Sequence, residues 1–139
     1  GSCFSAGTAD RSQADTINYL VQESNIAWVA AYNCAAYWHE STMIDLSIIR
    51  QMIRAKESHF QDRGDISEQL AMGIECFSPH FAVGSNGKSS DGKLISLNQG
   101  ISFFSQPRGQ GNRSRCITDE VWGMWKGLQL ESMVEFEEA

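Results

Sequence analysis

Between Met43 and Phe60 the apolar positions Ile44, Leu46, Ile48, Ile49, Met52, Ile53 and Phe60 fall, at about 100° per residue, within about 200° of arc. Ser47, Arg50, Gln51, Arg54 and Ser58 take the other side. This pattern predicts an amphipathic helix over 43–60. Thr42 stands in the N-cap place and Asp45 in the first turn, where a negative charge favours the helix dipole.

Upstream, Ile17, Leu20, Val21, Trp28, Ala31, Ala35 and Trp38 also recur at helical spacing, with Ile26, Ala30, Cys34 and Tyr37 on a second face. A helix apolar nearly all round is a central, buried one, so 17–38 is expected to form one and to pair antiparallel with 43–60 across a short link. Gly64 reads as a left-handed stop after the second helix. Asp65-Ile66-Ser67-Glu68 then reads as a capping box opening a third helix over about 66–77.

After Pro79 the texture changes. The stretch 85–92 holds the turn pairs Asn86-Gly87 and Asp91-Gly92, and 107–115 is a second loop with three arginines. Between them, Leu94–Leu97 and Ile101–Phe104 fit short strands or a short helix equally well. Thr118 as cap, Asp119-Glu120 in the first turn, and Val121, Trp122, Trp125 and Leu128 on one face predict a C-terminal helix. The expected fold is mainly α: a compact helical domain of four to five helices, with a loop-rich region over about 78–115 that has room for a short β-hairpin. Residues 1–14 read as a flexible arm that begins with a cleavage scar, Gly1-Ser2, and 15–139 as a single helical domain.

Composition narrows the function classes. A chain of 139 residues is one domain with room for a core, and a net charge of −6 argues against nucleic acid or an anionic membrane surface as partner. Without an apolar run of about 18 residues, a membrane-spanning role is not expected. Cys3, Cys34, Cys76 and Cys116 allow three pairings; disulfides would point to a secreted or periplasmic protein, and buried free thiols to a cytoplasmic one. Cys3, ahead of a small polar stretch, is also a candidate lipid anchor.

No nucleophile–histidine order and no phosphate-binding glycine loop stands out. His39, His59 and His80 show no ligand spacing, so neither metal nor cofactor is expected. The aromatic and polar group from Tyr32 to His39 serves either a binding site or core packing. Trp122 and Trp125 serve either sugar stacking or docking on the first helix. Glu57, at the edge of the apolar arc beside Leu46, is either a partly desolvated general acid or a solvated partner of Arg54 or Arg50.

Ile53-Arg54-Ala55-Lys56-Glu57-Ser58-His59-Phe60 resembles the helix end that bears the catalytic Glu-Ser of goose-type lysozymes and soluble lytic transglycosylases. Asp62-Arg63-Gly64, Ala71-Met72-Gly73-Ile74 and Asn98-Gln99-Gly100-Ile101 follow in the order of that family's later motifs, so the likeness spans roughly 44–104. The resemblance implies a peptidoglycan-cleaving enzyme with Glu57 as general acid and Asp62 or Asp65 as partner carboxylate. It further implies substrate contacts from Ser58, Gly73, Tyr32 and Asn98. Cys76 replaces the family's Gln, no Ala-Tyr-Asn-Ala-Gly segment follows, and Ala31-Tyr32-Asn33 lies in the wrong order. The rival expectation is a secreted or periplasmic helical binding protein, an inhibitor or immunity protein without catalysis. The partner is thus a glycan polymer or another protein.

Overall fold

The computed structural model describes residues 2–4, 14–86, 92–109 and 111–138, without the side chains of 2–4, 14 and 135–138. Among these residues, two sheets and five α-helices make the fold mixed α/β, which corrects the mainly helical expectation. In chain order these are β1 (Ser2–Phe4), α1 (Ala14–Ser24), β2 (Trp28–Tyr32), β3 (Ala35–Ala36), α2 (Trp38–Arg54), a 3₁₀ turn (Glu57–Phe60) and α3 (Arg63–Gly73). There follow β4 (Ala82–Ser85), β5 (Leu94–Ser96), α4 (Leu97–Gly100), β6 (Ile101–Ser105), β7 (Arg115–Cys116) and α5 (Thr118–Glu138).

The helix expected over 17–38 is cut short by Asn25, whose φ of 52° is a left-handed stop, with the Ile26 N–H turning back to the Val21 carbonyl at 3.3 Å. Trp28, Val29, Ala30, Ala31 and Tyr32 then run as a strand buried on both faces. Apolar residues on every side are what such a strand shares with a buried helix, so the local pattern does not separate them. Aromatic and β-branched side chains suit the strand.

The larger sheet has the order β1-β2-β6-β7, with β1 parallel to β2 and the other pairs antiparallel. Its register sets Ala30 opposite Phe103 and Val29 opposite Phe104, and the period of two divides the strands between two cores. Val29, Ala31 and Phe104 meet Val21 of α1, while Trp28, Ala30, Tyr32 and Phe103 meet Ile44, Ile48, Ile66, Leu70 and Val121. The central sheet is therefore sandwiched between α1 and a layer of α2, α3 and α5. Ser2–Phe4, assigned to the flexible arm, belong to that sheet, and Ala14, also assigned to it, opens α1; residues 1 and 5–13 and the Cys3 side chain lie outside the described residues.

The smaller sheet, β3-β4-β5, supplies the hairpin for which the loop-rich region has room. Gly84 allows its close approach, because a Cβ there would collide with the Ala35 carbonyl oxygen.

The helix expected over 43–60 is instead two elements. α2 starts five residues earlier than expected, at Trp38; Thr42 lies within it, and its hydroxyl donates to the Trp38 carbonyl at 2.6 Å rather than capping. The helix stops at Arg54 because Ala55 turns extended, and the Lys56 N–H donates to His59 Nδ1 at 3.1 Å to open the new 3₁₀ turn. The third helix also starts earlier than its expected capping box. Asp62 is the N-cap, its carboxylate accepting the Asp65 N–H at 3.0 Å, and Gly64 lies inside the first turn. α2 and α3 approach closely at Gly73, where an added Cβ would stand 3.1 Å from the Ile48 Cα. The Ser47 hydroxyl donates to the Gly73 carbonyl at 2.6 Å and Gln51 to Gln69 Oε1 at 2.8 Å.

Candidate functional site: the outer face of the second helix

α2 carries more apolar residues than one buried stripe can absorb. Ile44, Ile48 and Met52 occupy the inner side and are buried. Trp38, Leu46, Ile49 and Ile53, with Thr42 among them, lie within about 80° of one another on a different side. There Trp38 is 84% exposed, Ile53 76% and Leu46 62%. Burying a large aliphatic or aromatic side chain is worth roughly 1.5–3 kcal/mol, so this row leaves that much per residue unrealised in the isolated chain.

A groove of about 390 Å³ adjoins this row. Ile49, Met52 and Ile53 form one side, with Trp28 and Phe60 among the other walls, and Arg108 at its margin. The Arg108 N–H donates to the Phe60 carbonyl at 2.8 Å, which fixes the 107–109 segment against the 3₁₀ turn. His39, Arg50 and Arg54 follow Leu46 around the helix, so one flank of the apolar row is basic in a chain whose net charge is −6.

A second, wider groove of about 850 Å³ opens where β6 meets the start of α5, among Asn33, Asn98, Gln99, Cys116, Asp119 and Glu120. Two of its amides are engaged: Asn33 Nδ2 donates to the Gln99 backbone carbonyl at 2.7 Å, and Ser96 Oγ to Asn98 Oδ1 at 2.5 Å. Cys116 Sγ is 3.3 Å from the Thr118 hydroxyl, which accepts the Phe103 N–H at 3.0 Å.

The residues carried by the lysozyme resemblance are dispersed. Glu57 and Ser58 share the 3₁₀ turn and are exposed, so of the two readings of Glu57 its exposure fits the solvated carboxylate rather than the partly desolvated acid. Asp62 caps α3 and Asp65 sits in its first turn. Gly73 is packed beneath Ile48, and Asn98 lines the wider groove. Tyr32 is fully buried, its hydroxyl donating to Asp45 Oδ1 at 2.8 Å, which makes it a core residue. Trp122 and Trp125 meet edge to face at 5.7 Å and pack on the main core, which takes them out of a sugar platform.

Other chemistry-bearing groups are structural. Arg63 Nη1 donates to the carbonyl (2.8 Å) and hydroxyl (3.2 Å) of Ser105, and Nη2 to the Arg113 carbonyl (2.8 Å), tying α3 to the end of β6. Burial, then the nearby Arg115, lower its pKa. Cys34, Cys76 and Cys116 are free thiols, which leaves no disulfide among the described residues to indicate an oxidising compartment; burial pushes the Cys34 thiol up. Among the described residues no group of three His, Cys, Asp or Glu side chains is placed to hold a metal, and no helix is long and apolar enough to cross a membrane.

Sequence patterning misses Trp38 as a surface residue by placing it inside a buried helix. The signal that finds the exposed apolar row is the width of the apolar arc on α2, too broad for a single buried face. No protein-family model, curated protein or solved structure matches this chain.

Proposed function

We propose that the chain is a non-catalytic protein-binding module, of the inhibitor or immunity-protein kind, that docks its partner on the outer face of α2. The observation that carries this reading is the exposed row Trp38, Leu46, Ile49 and Ile53 beside an apolar groove. A groove flanked by large apolar side chains suits an anchor residue of a partner, and Trp38 has the size and exposure of an interface hot spot. The basic flank selects for acidic groups around that anchor. Affinity capture from an extract of the source organism with the wild-type chain and with Ile53→Glu tests the proposal. A discrete protein retained by the first and lost by the second, at equal thermal stability, is the expected result; equal capture by both contradicts it.

Glycan cleavage is the second reading, and one observation favours it: Glu57 opens the turn whose last residue, Phe60, walls the smaller groove. Release of soluble muropeptides from purified peptidoglycan by the wild type, abolished in Glu57→Gln, would establish it in place of the binding module.

A further inference from the structure

The far end of the chain holds the counterpart of the α2 face. α5 packs on the main core through Val121, Trp122, Met124, Trp125 and Leu128, and Gln129 Nε2 reaches the Glu75 carbonyl at 3.0 Å. From Leu130 to Val134 every residue is exposed, yet the helix continues to Glu138. Over these five residues, at 1.5 Å each, about 7 Å of helix carries no buried side chain. A helix of that length has little stability of its own in water. It bears an apolar row, Leu130, Met133 and Val134, at the i, i+3, i+4 spacing of one face. Its only charged residues are acidic: Glu131, followed in sequence by Glu135, Glu137 and Glu138.

We infer that this projecting end of α5 docks on the outer face of α2 of a second copy of the chain. The apolar row of one meets the apolar row of the other. The exposed Glu131 beside that row meets Arg50, Arg54, Lys56 and Arg108, so the contact is complementary in charge as well as in apolarity. Like faces do not serve: two α2 faces bring basic flanks together, and two α5 ends bring glutamates together. The contact is therefore head to tail, between unlike surfaces. This inference rests on the docking-face reading and names the occupant of that face.

Sedimentation velocity in reducing buffer tests it with three samples. The wild type self-associates reversibly, in the micromolar range usual for a small contact. Ile53→Glu, which disables the α2 face, and Met133→Glu, which disables the α5 end, each weaken association at least about tenfold, since each buries a charge in the apolar row. Both positions are exposed, so folding survives, and unchanged far-ultraviolet circular dichroism checks it. An equimolar mixture of the two variants recovers association, because the intact α5 end of one meets the intact α2 face of the other. A wild type that stays monomeric at a few hundred micromolar overturns the inference, as does self-association undiminished in either variant or a mixture that remains monomeric. A monomeric chain that nonetheless captures a foreign protein through Ile53 overturns self-docking and leaves the docking face standing. A monomeric chain that captures nothing overturns both.

Discussion

Ile48 and Ile53 lie five residues apart on α2, fall in the same apolar arc of the sequence, and differ in energetic role. Ile48 is fully buried against α3, opposite Gly73, which has no side chain to relax into a vacated space. Ile48→Ala therefore belongs to the upper part of the range for buried aliphatic truncations, about 3–5 kcal/mol. Ile53 is 76% exposed, so only about a quarter of a 1.5–3 kcal/mol burial is at stake, roughly 0.4–0.7 kcal/mol. Alanine's better helix propensity returns about 0.4 kcal/mol of that, and the net effect of Ile53→Ala is near zero. Urea and thermal denaturation followed by tryptophan fluorescence read both. For a chain of this size the first variant melts roughly 10–20 °C lower and the second within about 2 °C of the wild type. A loss above about 1.5 kcal/mol for Ile53→Ala would show that something covers the outer face in the isolated chain and would refute the reasoning.

Arg63→Ala removes three hydrogen bonds from a charged donor that ties α3 to Ser105 and Arg113, and chemical denaturation should register a loss of about 2–4 kcal/mol, partly rescued by Arg63→Lys. Gly84→Ala places a methyl group on the Ala35 carbonyl and 2.8 Å from Cys34 Sγ, an overpacking of about 1–3 kcal/mol that thermal melts will detect. In native protein Cys76 and Cys116 react quickly with a thiol-specific disulfide reagent and Cys34 only as fast as the chain opens, which peptide mass mapping resolves. Because burial raises the Cys34 thiol above its unfolded value, the folded chain keeps a proton there at alkaline pH that the unfolded chain loses. Its contribution is complete below the unfolded thiol's pKa and is lost as pH rises through the raised folded one, and Cys34→Ala should flatten the alkaline limb of the stability curve.

Where local chemistry decides an element, the sequence is legible. Asp119-Glu120 at the start of α5 and the apolar face through Leu128 are visible in the pattern, whereas the loop expected over 85–92 lies mostly, at 87–91, outside the described residues. The β2 strand is not legible, because Trp28 to Tyr32 is buried on both faces and its partner β6 lies some seventy residues away at Ile101–Ser105. The α2 boundaries miss for a different reason. Thr42 has the right identity for a cap, but its hydroxyl is satisfied inside the helix, and the 3₁₀ turn at Glu57 depends on the His59 ring reaching back to Lys56. Periodicity finds the apolar residues of α2 and does not divide them. Which half is covered depends on where α3 packs, and Ile48 against Gly73 settles that only in three dimensions. The Glu57 reading has the same origin: a carboxylate at the edge of an apolar arc is desolvated only where that edge is covered, and here it is open.

The central claim is that the outer face of α2 is a docking surface, and a photoreactive amino acid at position 53 tests it most directly. The control places the same probe at position 68, an exposed site on α3. After irradiation of the full chain at tens of micromolar in an extract of the source organism, the account predicts a discrete adduct from position 53, with a second copy or a distinct protein, and none from position 68. No adduct from position 53, or the same diffuse labelling from both positions, would contradict it.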